Sequence, residues 1–354
     1  MKIAVDVSPI SSQTKSQHKV RGVGMYIGLL KDNLEKYDRK NDYIFSSNIQ
    51  EDSKEADIVH YPYLDPFFVT FPIFKKKKTV ITVHDLIPIS YPEHFPAGIK
   101  GNISWQVNRR ILKQSDLILA DSEASKKNII KFVGVKGHQV ESVLLGVGDS
   151  FRKEKISASE RLTIAKKYNL PEKFFLYVGD VTWNKNLPRL VDAIKEVQIP
   201  IVMVGKALVS DFDASNPWNN DRSWVVSETN SDLFIKPGFV PEDDLVLLYN
   251  MALAVCMPSI DEGFGLPVLE GMSCGAPVIV SHGGSLPEVA GSAGIYVDQN
   301  DYHDIALKMK TISSDVSLRE KYSEAALEQS KSFSIKKMIE GTVSAYEKLY
   351  AKAH

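Results

Sequence analysis

The chain has 354 residues, enough for two domains at roughly 150 residues each. Apolar residues make up 44% and charged residues 25%, which excludes a disordered chain, a fibrous repeat and a disulfide scaffold. Lys and Arg total 43 against 44 Asp and Glu, so the formal net charge is −1 and the chain has no global field for nucleic acid. In chain order, the first half predicts strands at residues 3–7, 43–47, 57–61, 79–84, 116–120 and 140–145. Helices are predicted between them at 24–37, 98–113 and 123–132, the last with Ser122 at the N-cap position. The start, Lys2-Ile3-Ala4-Val5-Asp6, reads as a strand rather than a signal peptide, and no run approaches 18 apolar residues. A cytoplasmic location is therefore expected.

The second half repeats the grammar. Strands are predicted at 174–178, 200–204, 234–239, 253–257, 277–280 and 295–297. Helices are predicted at 158–168, 187–197, 242–249, 267–274, 302–312, 318–329 and 335–350. Runs such as Ile201-Val202-Met203-Val204 suit strands buried on both faces, which belong to parallel sheets covered by helices. A charged stretch, Arg152-Lys153-Glu154-Lys155, marks a linker. The expected architecture is α/β, with two doubly wound Rossmann-like domains over residues 1–155 and 156–333 facing a cleft. A helix at 334–354 is expected to pack back toward the first domain. Ligands of such sheets bind outside the strand C-terminal ends. Cys256 and Cys274 form no CxxC pair and read as buried reduced thiols, and no cluster has metal-ligand spacing.

The most informative segment runs from Ser259 to Gly275. Pro267 suits a first helical turn, and Gly275 a C-cap. Glu262 then precedes the helix and Glu270 lies on it, with Gly263 and Gly265 between. Glycines beside a helix N-terminus make an anion site, because orphan N–H groups and the helix dipole point the same way. Two carboxylates beside an anion need a reason, and hydroxyl-rich ligands supply one by donating to them. The alternative from spacing alone is a capped helix with Glu270 in a structural pair.

This segment resembles the Glu-x7-Glu signature of retaining family 4 glycosyltransferases with the GT-B fold. The resemblance extends to Phe175–Gly179, Lys185-Asn186-Leu187, Val202–Lys206, Gly238–Pro241, Ala276–Ser281 and Gly284–Val289. In the first half it includes Gly22-Val23-Gly24, His84–Pro88 and Asp121-Ser122-Glu123. It implies a nucleotide-sugar donor in the second domain and a saccharide or lipid-linked acceptor on the first. Overall similarity to bacterial mannosyltransferases implies GDP-mannose or a UDP-hexose as donor, with no cofactor and no metal. Glu270 would bind the ribose and Glu262 the transferred sugar, with the backbone of Phe264, Gly265 and Leu266 near the diphosphate. Lys185 would neutralise the leaving group, Gly179 would end the phosphate-binding strand, and His84 would reach the sugar. Gly22 and Gly24 would let the first loop approach the ligands, and Val240 would lie at the base. The chain departs from many members at Asp180 and Asn184, where Arg is frequent, which leaves Lys206 or helix N-termini to supply further positive charge.

Other readings are a GT-B sugar-nucleotide epimerase or a non-catalytic sugar-nucleotide-binding protein. A dinucleotide site at Gly22–Gly28 is disfavoured, because the first strand ends a dozen residues earlier. The aromatic and basic run Phe67–Lys78 reads as a core-anchored loop with a solvated charge cluster before a strand, or alternatively as a peripheral contact with the inner face of a membrane.

Overall fold

The computed structural model describes residues 1–11, 22–71 and 77–351. Two compact units are present: Met1–Gly146 together with the segment that starts at Phe333, and Val147–Ser332. Residues 147–155 belong to the second unit for a local reason. Phe151 packs edge-on against Tyr249, Ser150 donates to Glu242, and Asn250 accepts the Glu154 backbone N–H at 2.8 Å.

Each unit carries one six-stranded, fully parallel sheet. The first contains β1 (Lys2–Asp6), β2 (Asp42–Ser46), β3 (Ile58–Tyr61), β4 (Lys78–Val83), β5 (Leu117–Ala120) and β6 (Val140–Ser142), in the order β2-β1-β3-β4-β5-β6. The second contains β7 (Phe175–Val178), β8 (Ile201–Val204), β9 (Phe234–Gly238), β10 (Val255–Met257), β11 (Val278–Val280) and β12 (Gly294–Tyr296), in the order β12-β11-β10-β7-β8-β9. All residues of β3, β5, β8, β10 and β11 are buried, as strands covered by helices on both faces require. Helices start and stop on local signals. The Ser122 hydroxyl accepts from Ser125 N–H, and Gly134 at φ 79° ends that helix in the left-handed conformation.

The C-terminal helix Ile335–Ala351 completes the first unit. The Tyr346 hydroxyl meets His60 Nδ1 at 2.6 Å, and His60 Nε2 meets the Thr82 hydroxyl at 2.8 Å, all buried. Burial, then the neighbouring His84, pushes the His60 pKa down to about 3, so this chain of hydrogen bonds is neutral. Lys78 Nζ also donates to the Leu349 carbonyl.

Strand order reverses direction between β7 and β10 in the second unit, and between β1 and β3 in the first. Loops leaving such a pair diverge to opposite sides and open a crevice at the strand ends, where ligands of this sheet type bind.

Candidate active site

The loops after β7 and β10 are laced together at the reversal point of the second sheet. Ile260 N–H donates to the Asn184 carbonyl at 2.7 Å, the Asn184 amide to the Asp261 carbonyl, and the Asn186 amide to the Pro258 carbonyl. Asn184, where the resemblance expects Arg, is buried and structural. This lacing places Lys185 Nζ 2.8 Å from both oxygens of Glu262. The Ser259 hydroxyl donates to Glu262 Oε1 at 2.7 Å, while Ser285 holds the Glu262 carbonyl through its N–H and hydroxyl. Gly284, at φ +57°, allows this approach: a Cβ there would lie 2.2 Å from the Glu262 carbonyl oxygen. Glu262 is buried, with its charge matched by one ammonium group. Such a pair holds a cation and a hydrogen-bond acceptor side by side.

The helix after this loop spans Leu266–Ser273, with Gly265 at its N-cap in the left-handed region. Pro267 has no N–H, and those of Val268 and Leu269 turn back to the Gly265 carbonyl, so Leu266 is the first-turn donor not committed to it. Gly263 and Leu266 are half-buried, and Phe264 is buried. Glu270 is buried within the helix and accepts from the Tyr249 hydroxyl at 2.6 Å. Burial raises its pKa from 4.5 to about 7, against the lowering effect of Tyr249.

That shift has a stability consequence. A raised folded-state pKa stabilises fully below about pH 4.5 and loses that contribution as pH rises through about 7. Above that range, holding the carboxylate buried costs on the order of 3 kcal/mol. Glu270→Gln keeps an acceptor for Tyr249 and removes the charge. Its melting temperature relative to the unchanged chain should therefore be higher at pH 8 than at pH 5; an identical difference at both would contradict this.

The remaining residues of the second unit fall around the same strand ends. Gly179 closes β7, donating its N–H to the Val204 carbonyl. Exposed Asp180 follows it, and its carbonyl accepts from buried Tyr177. Val240 does not present its side chain: Gly238 at φ +72° ends β9 and breaks the alternation, so Val240 is buried and Phe239 is 63% exposed. Exposed Lys206 lies with Nζ 5.5 Å from the Phe239 ring centroid. Phe239, Tyr249, Ser259 and Ser285 were missed by sequence reasoning. The outward turn at Gly238 was the one signal within reach.

In the first unit, Gly22 and Gly24 stand in the first turn of the helix Gly22–Tyr37 rather than in a loop. Residues 12–21, which precede them, lie outside the described residues, as do 72–76 of the aromatic and basic run. His84, just past β4, has both ring nitrogens occupied: Nδ1 is 2.7 Å from Asp121 and Nε2 is 3.1 Å from the Pro62 carbonyl. Burial lowers its pKa, but Asp121 and its hydrogen bond outweigh that and leave it raised. His84 is thus built as a charged donor, with no lone pair placed to take a proton. At the reversal point β1/β3 a cavity of about 320 Å³ is lined by Asp6, Ser47, Asn48, Gln50, Tyr61 and Thr70, among others. Asp6 is buried there with a raised pKa, caused by burial, and the Thr70 hydroxyl has no hydrogen-bond partner.

Among the described residues, no group of three or more His, Cys, Asp or Glu is placed to hold a metal ion, and no helix is long and apolar enough to cross a membrane.

Comparison with known proteins agrees with this arrangement. Residues 160–329 match the family described as Glycosyl transferases group 1, and residues 13–151 match Glycosyltransferase Family 4. O-antigen chain mannosyltransferase B of Escherichia coli is 31% identical over 296 residues, which cover 83% of this chain and 76% of that protein. The chain belongs to the family 4 glycosyltransferases. Serotype-specific mannosyltransferase WbdA of Escherichia coli is 30% identical over 73% of this chain, and the match spans 32% of that longer protein. Among solved structures, HepE of Anabaena in complex with UDP and glucose superposes with a TM-score of 0.74 at 17% identity, covering 98% of this chain and all of that one. Sucrose-phosphate synthase from Thermosynechococcus elongatus gives 0.72 at 17% identity over 99% of this chain and all of that one. The fold of this glycosyltransferase is therefore GT-B.

Proposed function

We propose that this glycosyltransferase moves a hexose, with mannose from GDP-mannose the first choice and a UDP-hexose the second, onto a saccharide or lipid-linked acceptor with retention of anomeric configuration. The observation that carries the reading is the Lys185–Glu262 pair at the β7/β10 reversal point. The preference for mannose rests on the similarity to O-antigen chain mannosyltransferase B. In this reading Lys185 swings from Glu262 to the diphosphate, and Glu262 accepts from hydroxyls of the transferred sugar. Phe239 offers its exposed ring to the base, beside Lys206. The bond from the anomeric carbon to the diphosphate breaks as the acceptor oxygen attacks on the same face, and the acceptor proton passes to a leaving phosphate oxygen. The polar cavity at β1/β3, with Asp6 as acceptor and Thr70 unpartnered, suits the hydroxyls of an acceptor saccharide.

Glu270 would take the ribose hydroxyls in its ionised form. Donor affinity should then rise about tenfold between pH 6 and pH 8, as a carboxyl with a pKa near 7 ionises. Glu270→Gln should bind more weakly with no such slope, as read by titration calorimetry; a flat profile in the unchanged chain removes the ribose assignment.

Function is tested by incubating the chain with GDP-mannose or UDP-hexoses, with and without an oligomannoside acceptor, and following products by NMR. Acceptor-dependent formation of an α-linked product is expected. Product without acceptor indicates epimerisation, and donor binding with no turnover on any acceptor indicates a binding protein.

A further inference from the structure

We propose that Tyr249 is a positioning residue for the donor: it holds the Glu270 carboxylate in the orientation that leaves Oε1 for the ribose, a role that rests on Glu270 taking the ribose hydroxyls. Tyr249 lies near the end of the helix Glu242–Met251 and is fully buried. Its hydroxyl donates to Glu270 Oε2 at 2.6 Å, its single hydrogen bond among the described residues. Oε1 of the same carboxylate accepts none among them.

Packing alone does not ask for this hydroxyl. Phenylalanine would fill the same space with no polar atom to desolvate, and a buried hydroxyl costs free energy unless it is hydrogen-bonded. The surroundings instead fix the bond. The Tyr249 ring meets Phe151 edge-on, with centroids 6.0 Å apart and planes at 70°. Gly271, next to Glu270, makes room for the ring: a Cβ there would lie 3.4 Å from Tyr249 Cδ1 and 2.6 Å from Val255 Cγ2. Asn250 accepts from the Glu154 N–H and donates to the Arg152 carbonyl at 3.0 Å, which ties the segment bearing Phe151 to the same helix end. A carboxylate held by a ring fixed in this way has little rotamer freedom left to lose when a ligand binds.

The hydroxyl also favours the charge that the ribose needs. Burial raises the Glu270 pKa, Tyr249 lowers it, and Glu242 on the Tyr249 helix raises it. The other titratable groups nearby are Cys274, on the Glu270 side, and Glu154 and Arg152, which act on Cys274. Of the groups that act on Glu270, only Tyr249 favours the ionised form.

The test compares Tyr249→Phe, Glu270→Gln and the double variant with the unchanged chain, by calorimetric titration with GDP-mannose and UDP-hexoses over a pH series and by steady-state kinetics. Tyr249→Phe keeps the ring and removes one oxygen atom. It should weaken donor binding on the order of tenfold at neutral pH, with the loss carried by the donor KM rather than by kcat. The midpoint of the affinity profile should move up by about one pH unit, which a purely structural role would not do. With Glu270→Gln already present, Tyr249→Phe should change affinity by less than about twofold. If Glu270→Gln weakens binding while Tyr249→Phe keeps the affinity and midpoint of the unchanged chain, the positioning role falls and the ribose reading stands. If Glu270→Gln has no effect, both fall. An equal loss from Tyr249→Phe with either residue at position 270 also overturns the role, since the hydroxyl would then act without the carboxylate.

Discussion

Glu262→Gln should lower turnover by about a hundredfold to a thousandfold while changing donor affinity only a few-fold. A hydrogen bond to a charged group contributes about 1.5–3 kcal/mol, and in the proposed reading the carboxylate accepts two from the transferred sugar. Glutamine keeps the volume and one acceptor, so the site retains its shape. The lost charge also leaves Lys185 without its partner at 2.8 Å, and some stability should go with it. Steady-state kinetics beside titration calorimetry separates the two effects. Unchanged turnover would take Glu262 out of the chemistry.

The second large effect is expected at Lys185. Lys185→Met removes the cation that touches Glu262 and, in the proposed reading, the charge that meets the leaving group, whose loss costs about a hundredfold to a thousandfold in rate. The same substitution strands a buried carboxylate, at a cost of about 3 kcal/mol in folding stability. Rate and stability therefore fall together, and a third variant tells them apart. Lys185→Met combined with Glu262→Leu removes both charges, so denaturant unfolding should show most of the lost stability restored while transfer stays absent. If the double variant unfolds as readily as Lys185→Met alone, the damage lies in packing and not in the uncompensated charge.

Much of the fold was legible in the chain. The central strands were readable because parallel strands covered by helices are buried on both faces, so runs such as Leu117–Ala120 and Ile201–Val204 stand out against any surroundings. The helix Asn220–Glu228 was not readable. Its sequence is polar with no apolar periodicity, and it is held by Val225 and by Arg222, whose guanidinium lies 4.1 Å from the Phe212 ring centroid and donates to Ser210. Those partners come from a preceding irregular segment that local pattern cannot see.

The site divides in the same way. Glu262, Glu270 and Lys185 were visible as residue types in a pattern, but Lys185 and Glu262 are 77 positions apart, and only the pairing of β7 with β10 brings them together. Asn184 looked like a missing cation and is instead the clasp between the two loops. His84 looked available to reach the sugar, and Asp121 with Pro62 takes up both of its nitrogens. In each case the missing information was a partner distant in sequence.

The most direct measurement is a crystal structure of the chain grown with GDP-mannose or an unreactive analogue of it. Diphosphate oxygens are expected about 3 Å from Lys185 Nζ, with ribose hydroxyls on Glu270 and the hexose against Glu262. A nucleotide bound away from the ends of β7 and β10, with Lys185 still closed on Glu262, would contradict this placement.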